Sequence, residues 1–247
     1  MRNWWMALVP VLLCPSVLAQ DKTHDVGRFD AALSALPAPW QVIRFDQRVP
    51  ATQYRVILWD GVAAVEAVAN ASMALLTRSL SVDLARTPIL CWRWRIDAPL
   101  SNADMATKEG DDYAARVYLA LKLPTEAMNF STRAKLALAR SIYGDHVPDA
   151  ALNYVWDNRY RVGTQRANAY TDRTRMIVLR SGPSQAGAWV TERRDVLADA
   201  IAAFDTDHVR ATQLAIAADT DNTGERAHSG FADLHFVARD QRCYFPP

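Results

Sequence analysis

Residues 214–236, LAIAADTDNTGERAHSGFADLHF, indicate the fold class of this chain. An apolar run enters a stretch rich in Asp, Asn and Gly at 219–224, and an alternating segment follows at 233–236. Asp, Asn and Gly tolerate the tight backbone angles of turns, and Asp and Asn side chains hydrogen-bond their own backbone. The stretch therefore predicts a strand, an acidic turn and a second strand.

The side-chain oxygens of the same region are candidate ligands for Ca²⁺, a hard cation that prefers oxygen donors. The predicted ligands are Asp219, Asp221, Asn222 and Asp233. The spacing is not that of an EF-hand, because the twelfth position counted from Asp219 is Gly230 instead of Glu. The alternative is a turn without metal, stabilised by Asx hydrogen bonds alone.

Short segments with β-type alternation recur along the rest of the chain and are separated by turn residues. The predicted strands cover 41–45, 54–59, 62–69, 75–80, 89–97, 113–123, 152–156, 176–181, 189–194, 209–218 and 232–237. Such spacing is typical of sandwiches and jelly rolls. We expect an all-β class protein, mainly β with a few short helices, that forms a two-sheet β-sandwich of jelly-roll or galactose-binding-like type. The predicted core contains Trp92, Trp94, Val117, Leu119, Leu214, Ile216, Leu234 and Phe236.

Three segments carry apolar residues at helical spacing: 29–36, 132–143 and 196–204. Their apolar stripes require no role other than packing. The length suits one well-buried domain. We predict a helical lead-in at 20–39 and a single β-sandwich domain at 40–247, with a helical insertion near 125–150.

The amino terminus has the pattern of a secretory signal. Arg2 precedes an apolar run at 5–13, and the small residue Ala19 suits signal peptidase. The run is too short to span a bilayer. We predict a signal peptide at 1–19 and a periplasmic or secreted protein that is not embedded in the membrane.

The charge balance argues against nucleic acid as a partner, and the cysteine content allows one disulfide. The 28 Lys and Arg residues balance 27 Asp and Glu residues, so the chain lacks the positive excess that drives nucleic-acid binding. Cys91 and Cys243 remain after signal removal and are able to pair in an oxidising compartment. The alternative is a buried Cys91 and a free thiol in the C-terminal tail.

Arginine residues occupy polar positions in two predicted strands, where they alternate with apolar residues. Arg93 and Arg95 alternate with Trp92 and Trp94, and Arg116 and Tyr118 alternate with apolar residues in the next strand. If both strands share a sheet, these four polar side chains form one cationic patch. Guanidinium suits bidentate capture of a carboxylate. The alternative is a solvated sheet face crossed by Arg–Glu pairs.

Three further residues complete the predicted ligand site. Glu66 lies on the polar face of another strand, where it can pair with one of the arginines. Asn153 and Trp156 belong to a strand with two possible orientations. Either Tyr154 and Trp156 pack inward, or both rings face a groove where sugars stack.

Five sequence blocks resemble a bacterial exported family known only as domain of unknown function 3047. The blocks are CWRWRI (91–96), DDYAARVY (111–118), LNYVW (152–156), ERRDV (192–196) and DTDNTG (219–224). The resemblance implies a single exported domain and, by analogy with jelly-roll modules, carbohydrate recognition. It implies no catalytic residues.

We expect a non-catalytic carbohydrate-binding module for an anionic glycan, with Ca²⁺ as an optional structural ion. One alternative is an acidic-polysaccharide lyase, in which an arginine neutralises the uronate and Tyr118 removes a proton. His235 and Asp233 are the other candidate acid–base pair. A further alternative is a structural envelope protein that docks a protein partner. A groove would favour the first two functions, and a flat sheet the third.

Overall fold

Thirteen strands and two α-helices make up the part of the chain described by the structure, a computed structural model of residues 23–33, 35–143 and 147–246. The strands are β1 (His24–Gly27), β2 (Gln41–Ile43), β3 (Gln53–Trp59), β4 (Val62–Asn70), β5 (Leu75–Val82), β6 (Ile89–Ile96), β7 (Tyr113–Lys122), β8 (Ala150–Asp157), β9 (Gln165–Ala167), β10 (Thr174–Ser181), β11 (Val190–Asp195), β12 (Arg210–Asp219) and β13 (Arg226–Val237). The helices are α1 (Phe130–Tyr143) and α2 (Val196–Phe204), and a 3-10 turn covers Thr125–Ala127. The predicted signal peptide lies outside the described residues.

The strands form two sheets. Sheet A has the order β11-β6-β13-β4-β3, and β1 also pairs with β13. Sheet B has the order β2-β5-β12-β7-β8-β10-β9. All pairs are antiparallel except the parallel pair of β8 and β10. This architecture confirms the prediction of a mainly β protein with two sheets and few helices.

The core lies between the sheets and is rich in aromatic rings. Trp92 of β6 packs on Tyr154 of β8 with 5.5 Å between ring centroids, and Trp94 packs on Trp156 at 5.8 Å. All eight predicted core residues are fully buried. Strand alternation explains this result, because one face of each strand must leave water for the sandwich to form.

Two of the three predicted helices are present. α1 lies between β7 and β8, and α2 begins after Asp195, whose side chain accepts a hydrogen bond from the Ala198 backbone N–H at 2.9 Å. The helix predicted over 29–36, and with it the helical lead-in at 20–39, is wrong: the described residues of 29–36 form a turn, and β1 precedes them. There the side chain of Asp30 accepts a hydrogen bond from the backbone of Ala32, so local side-chain bonding replaces helical bonding.

A disulfide joins the C-terminal tail to the centre of sheet A. Cys91 in β6 and Cys243 are bonded with an S–S distance of 2.01 Å across a sequence separation of 152 residues. The sequence allowed either a disulfide or a buried Cys91 with a free thiol in the tail, and the structure contains the disulfide. Within the described residues, no helix is long and apolar enough to cross a membrane.

Candidate functional site

The four residues of the predicted cationic patch lie in two different sheets. Arg93 and Arg95 belong to β6 and point away from the core on sheet A, whereas Arg116 and Tyr118 belong to β7 and lie on the outer face of sheet B. The prediction of one shared patch is therefore wrong. Alternation gives the phase of each strand, but it does not say which strands share a sheet.

Both arginines on sheet A already have partners within the fold. Arg93 pairs with Asp233, and its Nη2 donates a hydrogen bond to the Pro246 carbonyl at 2.9 Å. Arg95 pairs with Asp60 and stacks over the ring of Trp59 at 4.1 Å. Both guanidinium groups therefore serve as counter-ions of aspartates within the fold.

Glu66 takes part in the Arg–Glu network that the sequence offered as the alternative. It pairs with Arg55 and lies 2.9 Å from Nε2 of His228. The hydrogen bond from Arg55 lowers the pKa of the Glu66 carboxyl. The outer face of sheet A is thus crossed by ion pairs between its own residues.

His235 and Asp233 do not form an acid–base pair. His235 is fully buried, with Nδ1 within 2.6 Å of the Asp233 carbonyl and Nε2 accepting the Tyr244 N–H at 3.2 Å. The Asp233 side chain instead pairs with Arg93. A register shift in β13 between Ala232 and His235 breaks the alternation that placed the two side chains together.

The predicted strand of Asn153 and Trp156 takes the inward orientation for its rings. Trp156 is buried in the core and donates its indole N–H to the Gly182 carbonyl at 3.0 Å, so its prediction as a ligand-binding residue is wrong. Asn153 lies opposite Tyr118 on the outer face of sheet B. Its amide nitrogen contacts the Met176 sulfur at 3.5 Å, and its Oδ1 has no partner among the described residues.

A cleft with two adjoining lobes lies over the outer face of sheet B. The large lobe has a volume of about 500 Å³ and the small lobe about 230 Å³. The residues that line both lobes are Phe45, Met73, Asp111, Arg116 and Val147. Tyr118 lines the small lobe only. Of the seven predicted ligand-binding residues, Arg116 and Tyr118 therefore line this cleft.

The floor of the cleft holds a buried ion pair. Nη2 of Arg116 lies 2.6 Å from Oδ2 of Asp219, and Oδ1 of Asp219 accepts the Tyr113 backbone N–H at 3.2 Å. Burial raises the pKa of the Asp219 carboxyl well above its usual value, and the nearby guanidinium opposes that shift. Arg116 therefore serves first as the counter-ion of the fold itself.

Asp111 is the other carboxylate of the floor. Its two oxygens accept hydrogen bonds from the Asn168 amide at 2.9 and 2.8 Å, and burial raises the pKa of its carboxyl. Gly110 positions it, because a Cβ at that residue would lie 2.6 Å from the backbone nitrogen of Asp104. Only glycine allows this close approach of two backbone segments.

The acidic turn predicted as a Ca²⁺ site lies beside the cleft. The carboxylates that come together there are not the set that the sequence predicted. Carboxylate oxygens of Asp112, Asp219 and Asp221 lie within 4.8 Å of one another. Asp233 is not among them, because it pairs with Arg93 on sheet A. Sequence reasoning missed Asp112, although the adjacent acids at 111–112 directly before a strand were a usable signal.

Calcium binding at Asp219, Asp221 and Asn222 remains a prediction. Asp112 already accepts hydrogen bonds from the Thr223 N–H at 2.7 Å and from Asn222 at 3.2 Å, so the turn has its own internal support. Any ion that binds only the folded state raises the melting temperature. Calorimetry at millimolar Ca²⁺ tests the site, and the absence of both heat and melting shift would reject it.

Two exposed aromatic rings flank the cleft and were also missed by sequence reasoning. Phe45 is 53% exposed after β2, and Tyr170 is 56% exposed between β9 and β10. The Tyr170 hydroxyl donates a hydrogen bond to Oδ1 of Asn222 at 3.2 Å. Tyr170 lies in a loop, where strand periodicity gives no signal, and Phe45 falls beyond the end of β2 although the predicted strand 41–45 included it.

A family model described as "Protein of unknown function (DUF3047)" matches residues 38–235, and the chain belongs to this family. The match confirms the resemblance seen in the sequence blocks. No curated protein matches the chain significantly.

Solved structures that resemble this chain include family 12 glycoside hydrolases. One, from a comparison of these enzymes and of substitutions important for their thermal stability, is 10% identical with a TM-score of 0.38, covering 87% of this chain and 83% of its own. A family 12 xyloglucanase from Bacillus licheniformis in complex with ligand is 8% identical with a TM-score of 0.36. The match covers 88% of this chain and 93% of the xyloglucanase chain.

Proposed function

We propose that this member of the DUF3047 family is a carbohydrate-binding protein whose site is the cleft over sheet B. The observation that carries the proposal is the pairing of two exposed rings, Phe45 and Tyr170, with a floor of carboxylate and amide groups. Ligand sites combine apolar walls with a few polar groups that fix orientation. Sugars offer apolar ring faces and hydroxyl edges, which suit aromatic rings and carboxylates respectively.

The charge of the cleft argues against the anionic glycan expected from the sequence. The described lining of the large lobe contains four aspartates and a single cation, Arg116, which is paired with Asp219. An anionic sugar would meet like charges at Asp111 and Asp221, neither of which forms an ion pair with a described residue. We therefore assign the site to a glycan without carboxylate or sulfate groups.

The two alternative functions receive less support. In a lyase, Tyr118 would have to lose its proton, but burial raises the pKa of its phenol. Arg116 is also held by Asp219 instead of being free for a uronate. A structural protein that docks a partner by a flat face has no need of a cleft of this volume.

The test is isothermal calorimetry of the mature protein with neutral and uronate-containing oligosaccharides, after a glycan-array screen. Replacing Phe45 or Tyr170 by Ala should weaken binding about fivefold, since a ring contact contributes about 1 kcal/mol. Phe130→Ala is the matched control, because Phe130 is 78% exposed on α1 and does not line the cleft. Absence of binding to any glycan, or equal affinity in all three variants and the wild type, would reject the proposal.

A further inference from the structure

The large lobe contains carboxylates that form no direct ion pair with a described residue. Asp46 pairs with Arg48 and Asp219 pairs with Arg116, but neither Asp111 nor Asp221 forms an ion pair with any described residue. Both of these carboxylates line the lobe, and Tyr170 lines the same lobe beside them. A cleft with uncompensated carboxylates next to an exposed ring attracts a cation.

Arg116 gives a second and independent indication of the ligand. The residue is 8% exposed, it lines both lobes, and its Nε has no hydrogen-bond acceptor among the described residues. A buried N–H group without an acceptor is costly, and sites with such groups are completed by a ligand or by water. The floor of the cleft thus holds a donor that lacks an acceptor close to carboxylates that lack a cation.

We propose, resting on the proposed carbohydrate-binding function, that the cleft binds a sugar that carries a free amino group. The ammonium lies at Asp111 and Asp221 beside the ring of Tyr170, and an oxygen on a neighbouring carbon of the sugar accepts a hydrogen bond from Arg116. In a 2-amino sugar the amine and a hydroxyl are on adjacent carbons. One ring therefore supplies both groups that the floor lacks.

Comparison of the free amino sugar with its N-acetylated form tests whether the cleft recognises the ammonium group. An acetylated amine is an uncharged amide, so it keeps a polar group at the same carbon but loses the charge-assisted hydrogen bonds to the carboxylates. The acetyl group also adds bulk next to Asp111, which is already hydrogen-bonded by Asn168 on both oxygens. The cleft should therefore prefer the free amine to its acetylated form.

The experiment is calorimetry of the mature wild-type protein with three oligosaccharides of equal length, made of glucosamine, N-acetylglucosamine or glucose. It is run at a pH where the sugar amine is protonated. We expect the glucosamine oligomer to bind about tenfold or more tightly than the other two. Added salt should reduce that difference, because it screens charge pairs that remain partly exposed.

A variant assigns the effect to the cleft. Asp221→Asn should reduce the affinity for the glucosamine oligomer about tenfold and reduce the affinity for the glucose oligomer by a clearly smaller factor, because only the amine loses a charge-assisted hydrogen bond. Asp240→Asn, an exposed carboxylate outside the cleft lining, is the control and should bind as wild type. The melting temperature of each variant verifies that it is folded.

The outcomes separate this inference from the function on which it rests. Equal affinity for the amine and its acetylated form, or full affinity in Asp221→Asn, would overturn the amino-sugar assignment and leave the carbohydrate-binding proposal standing. Absence of binding to every glycan would instead reject the proposed function, and the inference with it.

Discussion

Several arginine residues in this protein serve as counter-ions for its own carboxylates. Arg93 pairs with Asp233, Arg116 pairs with Asp219, and Arg55 pairs with Glu66. The planar guanidinium that suits a ligand carboxylate suits an aspartate of the fold equally well. A sequence pattern rich in arginine is therefore no measure of anion binding until the positions of the acidic residues are known.

The buried pair of Arg116 and Asp219 should respond to mutation as a unit. Removing one partner leaves an uncompensated charge, so Arg116→Met and Asp219→Asn should each lower the free energy of unfolding by about 3–5 kcal/mol. The double variant should lose less than the sum of the two. Urea denaturation of the four proteins measures this coupling, and strictly additive losses would contradict it.

The buried His235 should make stability depend on pH. Burial lowers the pKa of its imidazole from the ordinary 6.5, so the folded state keeps it neutral while the unfolded state takes up a proton as the pH falls through that value. The unfolded state then binds more protons, and the stabilisation is lost on the acidic side of 6.5.

Urea titrations across that pH range measure this effect. His235→Asn should be less stable than wild type but should show a shallower dependence on pH. His208→Asn is the control, because the His208 side chain is 86% exposed. A wild-type slope in His235→Asn would show that other groups cause the loss.

At the scale of elements, the acidic turn connects the two sheets. β12 belongs to sheet B and β13 to sheet A, so the turn between them crosses the edge of the sandwich. Its first residues stay over the cleft, whereas Asp233 is carried to the opposite sheet. This crossing explains why the predicted Ca²⁺ ligands separated into two groups. Asp112, which directly precedes β7, lies in the place expected for Asp233.

The disulfide should account for a large part of the stability of sheet A. It joins β6 to the tail across a separation of 152 residues. Its removal in the double variant Cys91→Ala, Cys243→Ala should lower the free energy of unfolding by roughly 2–5 kcal/mol, because the unfolded chain regains freedom. Urea denaturation measures the loss, and reduction of the wild type is the parallel control. An unchanged midpoint in both would contradict the prediction.

At the scale of the whole molecule, the two outer faces of the sandwich differ in character. The face of sheet A is covered by ion pairs and by the tail that the disulfide holds, whereas the face of sheet B opens into the cleft. The strand sequences alone do not distinguish the two faces, since in both sheets polar side chains occupy the outward-facing positions. The loops that carry Phe45 and Tyr170 make the difference.

Export of the protein is predicted from the signal pattern at its amino terminus. The signal pattern at 1–19 predicts that a bacterial host secretes the protein and that the mature form begins at Gln20. Mass spectrometry of the periplasmic fraction after expression of the full chain measures the cleavage point. Replacing apolar residues of the run at 5–13 by charged ones should retain the protein in the cytoplasm. Intact residues 1–19 on periplasmic protein would contradict the prediction.

The sequence by itself determined the local features of this protein. The phases of most strands, the eight core residues, α2 and the turn at 219–224 could be predicted, because strand and helix periodicity and turn chemistry act over a few residues. The missed elements are the three- and four-residue strands β9 and β1, which are too short to show a period.

Only the tertiary structure decided which strands share a sheet, and hence which polar side chains meet. β6 and β7 follow each other in the chain but lie in different sheets, which separated Arg93 from Arg116. Strand pairing depends on contacts between residues distant in sequence, and the period of two is the same whichever neighbour is chosen. The cleft forms where β7, β12 and the flanking loops come together, so its residues could be recognised only in the folded protein.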